Sequence, residues 1–207
     1  EFRRVLFRSS HSCTFWEMEP GTDYLMEITV TDRAENKDTF GPFPLTTASR
    51  PKNIALATEG TEARASSSYP PQEGEHRPEA AIDGDPTTCW QAGAPPQEQN
   101  RQWLELEFPH KTEFNSLRLL VPNVAPLGSF RLEYDTEEGW QTFLEYQEQE
   151  PVVNGNVEVV RQDHIIYQIF CEPMAAERIR LVILSGGTPY RIFFPQVLAW
   201  EVYNIQD

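Results

Sequence analysis

Ala80-Ala81-Ile82-Asp83-Gly84-Asp85-Pro86-Thr87-Thr88-Cys89-Trp90, followed by Gln102-Trp103-Leu104-Glu105-Leu106-Glu107-Phe108, is the stretch whose reading decides the fold. Its first part is a tight turn, in which Gly84 allows an unusual backbone angle and the Asp83 and Asp85 carboxylates can accept hydrogen bonds from the loop's own amides. Its second part alternates, with Leu104, Leu106 and Phe108 on one side and Trp103, Glu105 and Glu107 on the other, the period of a half-buried strand. Ser116–Val121 repeats the pattern through Leu117, Leu119 and Val121, and Phe130, Leu132, Tyr134 and Ile179, Leu181, Ile183 repeat it again. The last strand sets Leu198, Trp200 and Val202 inward, opposite Val197, Ala199 and Glu201. No segment keeps a helical period beyond about a turn, so the fold class is all-β, a sandwich or jelly roll. Trp90 and Trp103 are expected to pack its core.

The whole chain has 207 residues, room for one sandwich and a piece of something else, since globular domains usually run about 100–200 residues. A formal charge of −15 repels phosphate backbones and anionic headgroups, which argues against nucleic acid and against a lipid surface as partner. No apolar run approaches the roughly 18–20 residues that span a bilayer, and no hydrophobic signal core is present in this text. Cys13, Cys89 and Cys171 lack the close spacing of a zinc site or a redox pair, so three free thiols are expected.

Residues 1–10 are read as a non-native leader, because the basic EFRRVLFRS joins abruptly to polar sequence. From Tyr24 a strand with one buried face carries Tyr24, Met26, Ile28 and Val30, turn formers follow at Asp32–Lys37, and a second strand ends at Thr46–Thr47. Glu19-Pro20-Gly21-Thr22-Asp23-Tyr24 with that strand resembles the tyrosine corner and final strands of a fibronectin type III domain. The resemblance implies that 11–49 is the C-terminal fragment of such a domain and that the Tyr hydrogen-bonds back to the backbone.

From residue 50 onward the order of landmarks carries a second resemblance. Asn53-Ile54-Ala55, Ala65-Ser66-Ser67-Ser68, the 80–90 turn, Gln102-Trp103-Leu104-Glu105-Leu106, Phe130-Arg131-Leu132-Glu133-Tyr134, Ala176-Glu177-Arg178-Ile179-Arg180-Leu181 and Trp200-Glu201-Val202-Tyr203 follow one another. This series resembles the discoidin family, also called coagulation factor V/VIII type C domains, and within it the family 32 carbohydrate-binding modules. It implies a galactose-binding-like jelly-roll sandwich over 50–207. In the family the turn commonly holds a structural calcium. Here its oxygens would be the Ala80 carbonyl, the Asp83 carboxylate, the Asp85 carbonyl and Thr88, a hard set suited to that ion. The expected Glu of the last strand is replaced by Ala199, with Glu201 two residues late. Two readings stay open: calcium, or a turn held by its own hydrogen bonds.

Ligand chemistry belongs on loops, because the strands are committed to the core. The loop Tyr69–Pro78 offers an aromatic, an imidazole and a guanidinium, Val121–Gly128 an amide, and Gly186–Phe194 further aromatics. His76, Arg77, Asn123, Tyr190 and Arg191 are the candidate ligand-binding residues, since sugars need forked polar groups beside a flat apolar face. The Arg that family sugar sites carry on the second loop has no counterpart in 121–128. His11, His76, His110 and His164 sit in no nucleophile, zinc or phosphate-loop motif, and the acidic Glu133–Glu150 reads as a solvated edge, so no catalytic residue is assigned. The function implied is a noncatalytic glycan-binding module of a larger extracellular protein, covalently linked to further domains such as a glycoside hydrolase or adhesin. The alternative is a protein- or membrane-surface adhesion domain, for which Ile192-Phe193-Phe194 supplies apolar spikes without a basic ring. A structural spacer that binds nothing is a third reading.

Overall fold

The computed structural model describes residues 18–19, 21–32, 34–47, 51–69, 76–148, 150–152, 155–187 and 193–205. The leader, Cys13, Tyr190, Arg191 and Ile192 lie outside the described residues. The chain parts into two compact units, Glu1–Arg50 and Pro51–Asp207.

In the first unit β1 (Asp23–Thr31) pairs antiparallel with β2 (Lys37–Thr46), with a bulge between Met26 and Ile28. Asp32 shapes the turn: its carboxylate accepts from the backbone N–H of Ala34 and Asn36 and from the Asn36 amide. The Glu19 N–H donates to the Tyr24 hydroxyl at 2.8 Å, the local bond a tyrosine corner requires. The expected buried face differs from what is seen. Tyr24, Met26 and their partners Leu45 and Phe43 share a face with Ile28, Val30 and Phe40, yet Ile28 is 44% and Val30 53% exposed. Two strands have one apolar face and, among the described residues, no second sheet to set against it.

The second unit consists of β3 (Glu62–Ala65), β4 (Trp90–Gln91), β5 (Gln102–Pro122), β6 (Leu127–Thr136), β7 (Gly139–Gln147), β8 (Glu150–Val152), β9 (Gly155–Arg161), β10 (His164–Gly186), β11 (Gln196–Val197) and β12 (Ala199–Tyr203), with 3-10 turns at Ala57–Glu59 and Pro78–Ala81. β5 and β10 are long because each serves both layers. They pair from Gln102–Ile183 to Pro122–His164, and the register shifts between Phe170 and Met174 and between Ala176 and Arg178, where both strands bend. One layer runs β3, the first half of β5, the second half of β10, β6, β7 and β8; the other runs β12, the second half of β5, the first half of β10 and β9. The layers meet where Phe130 packs edge-on to Tyr167 at 5.5 Å. Leu104, Leu106, Ile179, Leu181 and Ile183 face Leu117, Leu119, Ile169, Trp200 and Val202 between them, all fully buried. The Trp90 ring is also fully buried, whereas Trp103 is half-buried.

Two sequence expectations need correction. In the last segment Val197 is buried and Leu198 only half so, because the chain bends at Leu198. Val197 pairs with β4 and Ala199 with β5, so the bend inserts one residue between two sheets and resets the alternation. The acidic run is solvated only in part: Glu137, Glu138 and Glu148 are exposed, whereas Glu133 is 5% exposed. Glu133 accepts from Arg180 Nε at 3.0 Å and pairs with Arg131 at 3.2 Å, partners far away in sequence or on its own strand that a local charge count does not pair.

Candidate functional site

The 80–88 turn forms by its own side chains. Gly84 takes φ +84°, a left-handed angle open to glycine. Asp83 Oδ1 accepts the Asp85 N–H at 2.8 Å, and Asp85 Oδ1 accepts both the N–H and the hydroxyl of Thr87. These Thr87 bonds, side chain first, hold the Asp85 carboxyl below its ordinary value. The oxygens assigned to calcium do converge: around Thr88 Oγ1 lie Asp83 Oδ2 at 2.8 Å, the Asp85 carbonyl at 2.9 Å and the Ala80 carbonyl at 3.3 Å. Among the described residues a single carboxylate joins them, whereas calcium takes 6–8 oxygens. Glu201 is bound instead to Arg118 at 2.9 Å and to the Tyr203 hydroxyl at 2.8 Å. Between turn and sheet, Ala199 leaves a shallow pocket of about 290 Å³ floored by Leu56, Ile82 and Leu120. The set therefore matches calcium in oxygen type.

Beside the turn a second cluster forms where loops are stitched together: Tyr69 N–H donates to the Gln91 carbonyl, Ala92 N–H to Pro195, and Gly187 N–H to Pro126. Tyr69, 46% exposed, meets the edge of Phe194 at 5.9 Å and lies 6.4 Å from the His76 ring. His76 is half-buried and its Nδ1 is 3.3 Å from the Cys89 sulfur. Burial pushes the Cys89 thiol up, so the sulfur keeps its proton. Arg77 is exposed and leads into the Pro78–Ala81 turn, its carbonyl accepting the Ala80 N–H. An open aromatic face, an imidazole and a guanidinium thus sit on adjoining backbone. Such a surface can stack on a flat apolar ring and exchange hydrogen bonds with hydroxyls.

A model of the F5/8 type C domain matches residues 62–193, which take in Tyr69, His76 and Arg77, the turn and most of both layers. The chain belongs to that family. No curated protein matches it in sequence. In fold, this F5/8 type C domain is similar to chitosan-binding module 1 of a chitosanase/glucanase from Paenibacillus sp. IK-5, at 22% identity and TM-score 0.54, over 74% of this chain and 99% of that one. It is similar to the family 32 carbohydrate-binding module of Clostridium perfringens NanJ, solved with galactose, at 16% identity and TM-score 0.54, over 73% and 98%. A Ruminococcus gnavus GH29 fucosidase, solved with fucose, aligns at 16% identity and TM-score 0.56 over 75% of this chain and 27% of its own.

Of the expected ligand residues of this F5/8 type C domain, His76, Arg77 and Asn123 are among the described residues, and Tyr190 and Arg191 are not. His76 and Arg77 join the Tyr69 cluster. Asn123 is exposed, but its Nδ2 donates to the Gln162 and Asp163 carbonyls at 2.9 Å each, tying the second loop to the turn before β10. Phe193 is not a spike: it is 9% exposed, and its ring covers Gly186 and Gly187, where a Cβ would collide with it. Sequence reasoning marks Tyr69 and Phe194 as loop aromatics and does not put them among the candidate site residues. The proline that follows each, Pro70 and Pro195, is the one sequence signal that could have raised them. Cys89 and Cys171 are free thiols, and burial followed by Glu172 raises Cys171 to about 11.

Proposed function

We propose that this F5/8 type C domain is a noncatalytic carbohydrate-binding module that holds a glycan on the loop end carrying Tyr69, His76, Arg77 and Phe194, with Tyr190, Arg191 and Asn123 as further candidates from the neighbouring loops. The observation that supports it is the open Tyr69 ring, edge-packed on Phe194 and adjoined by His76, in a fold shared with modules described as chitosan-binding or solved with galactose. The role is to keep a linked, extracellular glycoside hydrolase or adhesin near its polysaccharide, a gain through local concentration. The 80–88 turn holds itself, with calcium a weak guest on Ala80, Asp83, Asp85 and Thr88. In the same reading the β1–β2 hairpin is the C-terminal part of a fibronectin type III-like sandwich, supported by the Glu19–Tyr24 bond and the uncovered apolar face.

Affinity electrophoresis on chitosan, galactan and fucosylated glycans is the test. Retardation of the wild type, lost in Tyr69→Ala, is expected. Absence of retardation on every glycan, or binding to phosphatidylserine vesicles at physiological salt, would favour the adhesion reading, which the burial of Phe193 weighs against.

A further inference from the structure

We infer that Cys89 is a positioning residue for His76: its S–H donates to Nδ1, which fixes the imidazole as the Nε2–H tautomer and aims that donor away from the thiol, toward bound ligand. The inference rests on the glycan-site reading above and adds to it a residue from outside the ligand loops. Cys89 follows Thr88, whose hydroxyl is turned to Asp83, and precedes Trp90, whose indole N–H donates to the Ser67 carbonyl at 3.0 Å. With both neighbours anchored, the backbone at Cys89 is set, and its sulfur stands 3.3 Å from Nδ1.

Two assignments of the shared proton are available, S–H to nitrogen or N–H to sulfur. Sulfur is a weak acceptor and a neutral imidazole nitrogen a good one, so the thiol is the donor. A neutral imidazole carries one proton, and with Nδ1 accepting it resides on Nε2, across the ring. Among the described residues the ring contact of His76 is apolar: Tyr69 lies 6.4 Å away, tilted by 44°, and does not choose the tautomer. The choice falls to Cys89. A ligand hydroxyl then meets a donor at His76, so acceptors on the glycan are read there, and loss of the S–H, by alkylation or by oxidation to sulfenic acid with peroxide, removes the preference.

The experiment uses the whole chain. Long-range proton–nitrogen NMR at about pH 8, above the ordinary imidazole range, reads the His76 tautomer, and affinity electrophoresis reads binding to whichever polysaccharide retards the wild type. Wild type is expected as Nε2–H. Cys89→Ala is expected to show a tautomer mixture and about 2- to 10-fold weaker binding, with Cys89→Ser between the two and no further loss when Cys89→Ala is added to His76→Ala. A wild-type Nδ1–H tautomer, or a tautomer unchanged in Cys89→Ala, overturns the inference. So does the expected tautomer shift with unchanged binding. A wild type retained by no glycan overturns the site reading and this role with it, whereas a retained wild type matched by Cys89→Ala overturns the role of Cys89 alone.

Discussion

Trp140 and Tyr69 are both aromatic side chains at the surface of the same sandwich, and they stand in opposite circumstances. Over the Trp140 ring lie Arg180 at 4.3 Å and Arg178 at 5.2 Å from its centroid. Those guanidiniums are themselves taken: Arg180 by Glu133, Arg178 by Asp135 at 3.3 Å and Glu105 at 3.7 Å. Around Tyr69 the neighbours are another ring and an imidazole, which leave the polar valences of a ligand unanswered. A surface aromatic near arginine has the composition of a sugar site in either place. What separates the two is whether the local charges are already paired across strands. The sheet face is self-satisfied and contributes stability; at the loop end Arg77 has, among the described residues, no ion-pair partner.

The contrast can be broken most forcefully at Arg180. Arg180→Ala leaves Glu133, nearly buried, with Arg131 as its remaining cation, and is expected to cost about 3 kcal/mol, roughly 10 °C in melting temperature, while glycan retention per folded molecule is unchanged. Trp140→Ala should cost about 1 kcal/mol by removing the ring beneath two guanidiniums, again with retention intact. A Trp140→Ala protein that melts like wild type but no longer binds would move the site to the sheet face.

At the turn, Asp83→Ala is expected to lower stability by about 1 kcal/mol whether or not calcium is present, because it removes acceptors for the Asp85 N–H and the Thr88 hydroxyl. Calcium at about 1 mM should shift the wild-type melting temperature by less than about 2 °C, since a ligand stabilises only above its dissociation constant. A shift of several degrees at micromolar calcium, abolished by Asp83→Ala, would show that a further oxygen completes the set.

The smallest effect concerns Glu105, whose carboxyl is pushed up by burial, with Arg178 opposing. An acid raised in the folded state binds its proton more tightly there, so this group lowers stability as pH rises from the ordinary glutamate value, about 4.3, through the folded value. Glu105→Gln should flatten that part of the melting-temperature profile. A profile that steepens instead would mean that the Arg178 pairing outweighs the burial.

Strand positions were legible in the sequence because alternation is a local property: Leu104 and Leu106 flank Glu105, Leu117 and Leu119 flank Arg118, Ile179 and Leu181 flank Arg180, and all six apolar residues lie in the core. The bend at Leu198 was not, because the partner of Val197 is β4, more than a hundred residues away in the chain. Glu133 read as a surface acid for the same reason: Arg180 reaches it only once β6 and β10 are paired. His76 and Arg77 could be proposed from their chemistry, and the turn oxygens from the resemblance, but the Tyr69–Phe194 edge contact and the Cys89–His76 pair join segments that periodicity cannot relate.

The central claim is that the glycan sits at the loop end and leaves the sheet face bare. Chemical-shift mapping of backbone and indole N–H signals during titration with a retained oligosaccharide tests it directly. The account predicts perturbations gathered at Tyr69, His76, Arg77, Cys89 and Phe194, with the Trp140 indole signal unmoved. Perturbations centred on Trp140, Arg178 and Arg180, with the Tyr69 end silent, would contradict it.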